Sequence, residues 1–284
     1  MSCGQIALNK MGYTQDDYDY YASEIHQPSI KVTQHNFPNT IQLGDVTKVS
    51  YKEGLLYSEN GDYNVGKIDL VMGGSPCQSI SNLGKREGLA GKSGLFFHWL
   101  RIRDEINPDA WLLENVVGNK EAIKTISELL GTQPTLINSN LVSAQNRKRL
   151  YWTNKESLSI PADRGLSFKD IMDTEGVYQK LSGRSLNKLL SPRCRVVRDN
   201  SEKLPCLLAA QGKKATDSIV IKHLDTSDKL NPEFFFRYPT RKEMELAQTI
   251  PVGYTDISSY NQASEMLGNG WTVDVIVHIL KQVL

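Results

Sequence analysis

The amino-acid sequence predicts an α/β protein with a doubly wound, mostly parallel sheet and a second, smaller and irregular subdomain. Strand-like and helix-like stretches alternate over residues 1–154, which is typical of a parallel sheet with helices on both faces. The alternation stops over residues 155–238, where the chain is polar, serine-rich and basic. Helical spacing returns over residues 239–284, so we predict three segments with these boundaries.

The helices are predicted from apolar residues at helical spacing and from residues typical of helix ends. In chain order they are GQIALNKMG (4–12), SIKVTQHNF (29–37), GLFFHWLRIRDEI (94–106), KEAIKTISELLG (120–131), TRKEMELAQTI (240–250) and VDVIVHILKQVL (273–284). Gly12 and Gly131 are predicted C-terminal stops, and Thr240 with Glu243 is a predicted capping box.

The strands are predicted from short apolar runs rich in β-branched and aromatic residues. They are YDYYASEI (18–25), TIQLGDV (40–46), KIDLVMGG (67–74), AWLLENV (110–116), TLINSNLV (135–142) and RLYWTN (149–154), with shorter pieces at RCRVV (193–197) and PCLLAA (205–210). Ligands bind beyond the carboxyl ends of parallel strands, so the residues that end them are candidate site residues: Glu24, Asp45, Cys77 and Glu114.

Glu24 follows Gly4 by 20 residues, a spacing typical of an acidic residue that binds ribose hydroxyls. A loop carboxylate or a helix N-cap is the structural alternative for this residue.

Composition excludes several classes of protein. The hydrophobic fraction is 39% and the charged fraction 23%, as in ordinary globular domains. The sequence has neither an apolar run of about 18 residues, as a membrane span requires, nor a secretory signal. The four cysteines contain no CxxC pair, so neither a metal site nor a disulfide framework is predicted, and Cys3, Cys194 and Cys206 are expected to be structural.

The net charge is only +1, but basic residues are concentrated over residues 180–203. This stretch contains seven basic residues and only two acidic ones. The basic residues are Lys180, Arg184, Lys188, Arg193, Arg195, Arg198 and Lys203, and the acidic residues are Asp199 and Glu202. The stretch is compatible either with a solvated face or with contacts to nucleic-acid phosphates.

Cys77 stands directly after a predicted buried strand and before a glycine-rich, basic segment. A thiolate nucleophile requires partial exposure and a positive field, and the glycines would let this segment move as a lid. None of the five histidines falls at a strand end beside an orienting carboxylate, so a protease-like site is not predicted.

Several motifs, in one order along nearly the whole chain, resemble the DNA cytosine-5 methyltransferase family. They are SCGQIALNKMG (2–12), YASEI (21–25), LGDV (43–46), GGSPCQSIS (73–81), LLENV (112–116), QNRKRLYW (145–152), RYPTRKEMELAQTIPVGYT (237–255) and MLGNGWTVDVIVHIL (266–280). The sequence is most similar to the short catalytic domains of animal de novo enzymes and to small phage or bacterial members. The resemblance implies a Rossmann-like fold of the class I methyltransferases, with S-adenosylmethionine as the methyl donor.

The resemblance also implies roles for individual residues. Cys77 would attack C6 of a flipped cytosine, and Pro76 would fix the backbone before it. Glu114 would hydrogen-bond N3 and the exocyclic amine, while Arg147 and Arg149 would position the base and its sugar-phosphate. Contacts to the cofactor are expected from Ser2, Cys3, Gly4, Glu24, Ile25, Asp45, Val46, Ser75, Leu95, Asn269, Trp271 and Thr272.

Double-stranded DNA is the implied partner, with contacts from Ser79, Lys85, Arg86, Lys92, Arg193 and Arg195. Residues 1–154 would bind the cofactor and catalyse, 155–238 would recognise the target, and 239–284 would return to the catalytic domain. The resemblance implies a cytoplasmic enzyme of a bacterial or phage-infected cell, with a possible companion restriction enzyme, or a nuclear enzyme of a eukaryote.

One feature departs from the family pattern. Members carry a strand ending in Phe-x-Gly directly before the residues that match Met1–Gly4, and this strand is absent here. We therefore expect a gap between neighbouring strands, unpaired backbone groups, and weak binding of S-adenosylmethionine. A misplaced start, a truncation and a degenerate copy are the alternatives.

Two other functions stay open at this point. A catalytically silent relative could bind DNA or a partner methyltransferase, although such a protein has no need of Cys77, Glu114, Arg147 and Arg149. An RNA cytosine-5 methyltransferase with the same fold is the other alternative.

Overall fold

The computed structural model describes residues 1–74, 94–180, 196–197, 202–209, 219–225 and 233–284. The chain divides into two compact units. The first unit comprises Met1–Ala7, Asn138–Arg147 and Pro161–Ile276, and the second comprises Leu8–Ile137, Lys148–Ile160 and Val277–Leu284.

Within the described residues the strands are short, and the α-helices have 7 to 13 residues. The strands are β1 (Tyr21–Ala22), β2 (Ile41–Gln42), β3 (Ser50–Lys52), β4 (Leu55–Ser58), β5 (Gly61–Asn64), β6 (Leu70–Gly74), β7 (Ala110–Val116), β8 (Thr135–Asn138), β9 (Gln145–Asn146), β10 (Lys148–Thr153), β11 (Gln179–Lys180), β12 (Val196–Val197), β13 (Leu204–Pro205), β14 (Ile219–Asp225) and β15 (Glu233–Arg237). The α-helices are α1 (Cys3–Lys10), α2 (Gln27–Asn36), α3 (Gly94–Ile106), α4 (Lys120–Leu130), α5 (Arg241–Ala247), α6 (Tyr260–Asn269) and α7 (Val273–Val283). Single turns of 3₁₀ helix occur at Val46–Lys48, Ser139–Leu141 and Phe168–Asp170.

The larger sheet of the second unit has the strand order β6-β7-β10-β8. β6 runs parallel to β7, whereas β10 runs antiparallel to it. Six of the seven residues of β7 are buried, as expected for an apolar strand with neighbours on both sides. This arrangement confirms the predicted α/β class with a Rossmann-like sheet.

β1 and β2 form a separate, parallel, two-stranded sheet. Among the described strands, β6 pairs only with β7, and none of its five residues is fully buried. The parallel part of the second unit therefore consists of two pieces, and the apolar run Leu70–Met72 lies at the edge of one of them.

Helices α3 and α4 cover the larger sheet with aromatic and aliphatic side chains. Their core cluster comprises Phe96, Trp99, Trp111, Leu113, Ala122, Ile126, Leu130, Leu150 and Trp152. A Cβ atom at Gly73 would overlap the Trp99 ring, so the glycine allows α3 to approach β6 closely. Close packing at this point holds the carboxyl end of β6 against the helix.

The first unit contains the sheet β11-β15-β14-β12 and the parallel pair of β9 with β13. The Thr240 hydroxyl accepts a hydrogen bond from the backbone N–H of Glu243, and the Glu243 carboxylate accepts one from the backbone N–H of Thr240, which is the predicted capping box of α5. Glu243 also pairs with Arg237 at the end of β15, and both side chains are buried. This ion pair ties β15 to the start of α5.

Two details of the predicted elements need correction. Glu114 lies inside β7, which continues to Val116 because β10 pairs with it along this length. β2 ends at Gln42, and Asp45 is instead the N-cap of the 3₁₀ turn at Val46–Lys48. Sequence reasoning also missed the antiparallel meander β3-β4-β5 and helix α6.

None of the helices built from the described residues is both long and apolar enough to cross a membrane.

Candidate active site

Glu114 and Arg149 form an ion pair on one face of the larger sheet. Glu114 lies opposite Tyr151 in the antiparallel register of β7 with β10, so Arg149 is its diagonal neighbour. Arg149 Nε donates to Glu114 Oε1 at 2.8 Å, and the two side chains are only 13% and 10% exposed. A nearly buried, hydrogen-bonded guanidinium holds the carboxylate in one orientation.

The carboxyl end of β6 lies beside Glu114 and precedes the predicted nucleophile in the chain. Gly74, the last residue of β6, is the register partner of Glu114 across the parallel pair. Cys77 follows Gly74 by three residues but lies outside the described residues, together with Ser75 and Pro76. Of the predicted catalytic residues, the structure describes Glu114, Arg147 and Arg149.

Arg147 is placed differently from Arg149, because it is buried within the first unit. Its Nη1 donates to the carbonyl of Leu207 at 3.0 Å, and its Nη2 donates to those of Gly268 and Gly270 at 3.0 and 2.8 Å. Arg147 therefore joins the segment after β13 to the end of α6, a structural function that the sequence did not predict. Its predicted contact with the target nucleotide stays a prediction.

The candidate cofactor residues of the second unit follow β1 and β2. Glu24 Oε1 accepts the backbone N–H groups of Ile25 and His26, each at 2.9 Å, just before α2 begins. Ser23 Oγ donates to the carbonyl of Gly44 at 2.7 Å. Parallel pairing of the two strands thus brings the segment of Glu24 beside the segment of Asp45.

Asp45 Oδ1 accepts the backbone N–H of Thr47 at 2.9 Å. The hydrogen bonds from the Thr47 backbone and side chain hold the pKa of the Asp45 carboxyl below its usual value. Asp45 is therefore a carboxylate at neutral pH, fixed at the start of a 3₁₀ turn.

These residues fit the adenosine part of S-adenosylmethionine by their donor and acceptor chemistry. Carboxylates shortly after two adjacent parallel strands suit ribose hydroxyls and an adenine amine. Ile25, directly after Glu24, is 68% exposed and offers an apolar surface to a ring. Leu95 and Val46 are half-buried in the same unit.

The other described cofactor candidates belong to the first unit. Cys3 Sγ lies 3.8 Å from the carbonyl oxygen of Trp271, and Thr272 Oγ1 donates to Gln248 Oε1 at 2.8 Å. Gln5 Nε2 donates to Ser2 Oγ at 2.9 Å. Gly4 lies in the first turn of α1, and Asn269 is exposed at the end of α6.

The predicted DNA contacts, Ser79, Lys85, Arg86, Lys92, Arg193 and Arg195, all lie outside the described residues. Lys203, which belongs to the basic stretch over residues 180–203, donates to the carbonyls of Asn140 and Ser143 at 2.7 and 3.1 Å. That lysine is engaged within the first unit. Among the described residues, no three His, Cys, Asp or Glu side chains are grouped as metal ligands.

Two residues of the second unit that the sequence did not single out contact the Asp45 segment. Glu59 Oε1 accepts the backbone N–H of Asp45 at 2.7 Å, and Asn60 Nδ2 donates to the carbonyl of Gln42 at 2.9 Å. The pair Asn60–Gly61 between two short β-prone runs was the available signal, because it is typical of a tight hairpin turn.

Known proteins with similar sequences include type II methyltransferases of bacteria. The type II methyltransferase M.NgoBV of Neisseria gonorrhoeae is 29% identical over 177 residues, which cover 54% of this chain and 39% of the relative. M.HpaII of Haemophilus parainfluenzae is 30% identical over 182 residues, covering 56% of this chain and 48% of the relative. The chain thus spans less than half of the length of these two relatives.

Solved structures with the same fold include Dnmt2 methyltransferase of S. pombe, with a TM-score of 0.71, 18% identity, and coverage of 99% of this chain and 95% of that chain. A mutant of DNMT2 from Spodoptera frugiperda has a TM-score of 0.69 and 20% identity, and covers 99% of this chain and 96% of that chain. The family model C-5 cytosine-specific DNA methylase matches residues 5–193, which are 189 of the 284 residues. The chain belongs to the C-5 cytosine-specific DNA methylase family.

Proposed function

We propose that this chain transfers the methyl group of S-adenosylmethionine to C5 of a cytosine in DNA, through a covalent bond between Cys77 Sγ and C6 of the base. Membership of the family supports methyl transfer to cytosine. The observation that carries the proposal is the Glu114–Arg149 ion pair, because Glu114 is the register partner of Gly74 and Gly74 precedes Cys77 by three residues in the chain.

The chemistry explains why a thiol and a carboxyl group are needed together. Cytosine C5 is not nucleophilic until a nucleophile adds to C6 and converts the ring into an enamine. The Cys77 thiolate forms the bond to C6, and the electron pair released to C5 attacks an electrophilic methyl group. S-adenosylmethionine would supply that methyl group when bound, and S-adenosylhomocysteine would leave with the electron pair of the broken sulfur–methyl bond. Loss of the C5 proton then restores the ring and expels the Cys77 thiolate.

Glu114, with its carboxyl group protonated, donates to N3 and accepts a hydrogen bond from the exocyclic amine of the base, and so stabilises the negative charge that develops on the ring as C6 is attacked. Arg149 keeps the carboxyl group of Glu114 in one orientation, since its Nε is 2.8 Å from Oε1. A preorganised group of this kind needs no reorientation during the reaction.

The target base is inaccessible inside a duplex, so it leaves the stack before it reacts. In the proposal, the glycine-rich segment over residues 79–94 closes over the DNA, and residues 155–238 contact the sequence beside the target. Unstacking costs a few kcal/mol, which contacts of this kind offset.

Bisulfite sequencing of host DNA after expression of the chain tests the function. Methylated cytosines resist conversion, and we expect resistant positions with the wild-type chain but none with Cys77→Ser. Glu114→Gln should reduce methyl transfer by about 100-fold or more, as expected on loss of a positioned acid or base. Glu128→Gln, an exposed carboxylate on α4, is the matched control and should leave activity unchanged.

A chemical trap separates the proposed enzyme from its alternatives. Fluorine at C5 cannot leave as a proton does, so duplex DNA with 5-fluorocytosine should form a stable adduct with the wild-type chain in the presence of S-adenosylmethionine. Binding of DNA without any adduct would indicate a silent binding module. An adduct that transfer RNA prevents in competition, but excess unmodified duplex DNA does not, would indicate an RNA methyltransferase.

A further inference from the structure

The meander β3-β4-β5 lies directly after the segment that carries Asp45, and its β4–β5 turn contacts that segment. β4 ends at Ser58 and β5 begins at Gly61, so the hairpin has a two-residue turn of Glu59 and Asn60. Ser58 Oγ donates to the carbonyl of Gly61 at 2.9 Å and accepts the Asn60 N–H at 3.3 Å. The Ser58–Gly61 hydrogen bond joins the two ends of the turn.

The turn holds the Asp45 segment on both sides. Before Asp45, Asn60 Nδ2 donates to the carbonyl of Gln42 at 2.9 Å. At Asp45 itself, Glu59 Oε1 accepts the backbone N–H at 2.7 Å. Beyond it, the other oxygen of Glu59 pairs with Lys48 at the end of the 3₁₀ turn.

Gly44 shows that the two segments fit closely. Its φ of +78° lies in the left-handed region, which favours glycine. A Cβ atom at this position would overlap the Glu59 carboxylate. The backbone conformation before Asp45 and the position of Glu59 therefore depend on each other.

The groups around Glu59 stabilise its ionised form. Lys48 and the Asp45 N–H both favour the ionised form, and they lower the pKa of the Glu59 carboxyl although the charge of Asp45 opposes this. Two carboxylates are thus kept close together by one lysine and one backbone N–H.

We propose that the β4–β5 turn is a positioning element for the cofactor-binding segment, and that Glu59 orients Asp45 towards the adenine amine of S-adenosylmethionine. This inference rests on the proposed function, in which Asp45 contacts the adenine amine. Glu59 acts through the backbone of Asp45 and does not itself touch the ligand.

Calorimetric titration with S-adenosylhomocysteine and with its deaminated analogue, which carries hypoxanthine in place of adenine, tests the inference. Glu59→Ala should weaken binding of S-adenosylhomocysteine about 10-fold, as expected for loss of a hydrogen bond to a charged group. Binding of the analogue should change by less than about 3-fold, because it lacks the amine that Asp45 would contact. Glu59→Gln, which keeps an acceptor oxygen for the Asp45 N–H, should recover part of the loss.

Asp62→Asn is the matched control, because Asp62 is an exposed carboxylate on β5 of the same hairpin. Amide hydrogen exchange without ligand adds an independent measurement. Glu59→Ala should increase exchange at the Asp45 N–H and leave Leu113, in the core strand β7, protected.

The outcomes separate this inference from the proposed function. A wild-type chain that binds neither ligand would contradict both. Tight binding by the wild type that Glu59→Ala leaves unchanged, or an equal loss for both ligands, would overturn the inference alone. Unchanged exchange at Asp45 in Glu59→Ala would also overturn it.

Discussion

Arg149 Nε donates to Glu114 Oε1 at 2.8 Å across the antiparallel β7–β10 pair, and both side chains are nearly buried. The register places Arg149 opposite Val116, two residues beyond Glu114, so the pair is diagonal on one sheet face. This geometry depends on β10 running antiparallel to β7. The strand order thus determines which side chain orients the candidate catalytic carboxyl group.

Arg149→Lys should lower kcat for methyl transfer by about 10-fold or more, although the charge is kept. A lysine ammonium is a compact charge on a flexible stem and cannot reproduce the planar Nε donor. A misplacement of about 1 Å at a reacting group can cost about 100-fold in rate. Steady-state kinetics with DNA as the variable substrate would measure the effect.

The control for this prediction is Lys148→Arg on the same strand, which should leave kcat unchanged because Lys148 is exposed. Equal kcat for Arg149→Lys and the wild type would show that orientation of Glu114 does not limit the reaction.

Arg147→Met should lower the free energy of unfolding of the first unit, in addition to any effect on methyl transfer. Its guanidinium donates to the carbonyls of Leu207, Gly268 and Gly270, and removal leaves these buried acceptors without that donor. Hydrogen bonds to charged groups contribute about 1.5–3 kcal/mol each, and the losses overlap, so we expect a loss of about 3 kcal/mol or more. Urea denaturation would measure it.

Arg164→Met provides the comparison, because Arg164 pairs with Asp274 through a side chain that is 52% exposed. Exposed pairs contribute about 1 kcal/mol or less. If the two variants lost the same stability, Arg147 would not have the structural function assigned to it.

Gly73→Ala should destabilise the second unit by about 1–3 kcal/mol, as overpacking in a filled core does. The added methyl group would overlap the Trp99 ring. Thermal unfolding would measure the loss, which the double variant Gly73→Ala/Trp99→Leu should partly recover because the smaller side chain leaves room. Additive losses in this double-mutant cycle would show that the two residues do not interact.

The capping box at Thr240 and Glu243 and the boundaries of helix 94–106 could be predicted because they depend on local signals. The N-cap residue and its partner three positions later lie within one turn, and the apolar spacing of Phe96, Trp99 and Ile102 indicates one buried helix face.

The partners of Arg147 and Arg149 could not be predicted in this way. Both arginines belong to one short motif, yet one donates to backbone carbonyls and the other to a carboxylate. The difference arises from long-range pairing: Arg149 is set by its register with β7, whereas the carbonyls around Arg147 come from residues 207–270. Spacing along the chain carries no information on such contacts.

Tyr260 provides a prediction about pH. Burial, with smaller effects of Tyr238 and Glu243, raises the pKa of its hydroxyl to about 12. The folded state therefore keeps this proton between about pH 10 and pH 12 while the unfolded state loses it, so the free energy of unfolding falls as the pH rises over this range. The loss is about 2 kcal/mol after allowance for partial exposure of the ring.

Tyr260→Phe removes the hydrogen bond to the Pro239 carbonyl, which is 2.8 Å from Tyr260 Oη. This variant should be about 1 kcal/mol less stable than the wild type at pH 8. In urea denaturation over this pH range, the order of stability of the two proteins should reverse by about pH 12, whereas a constant difference would show that Tyr260 does not titrate as described.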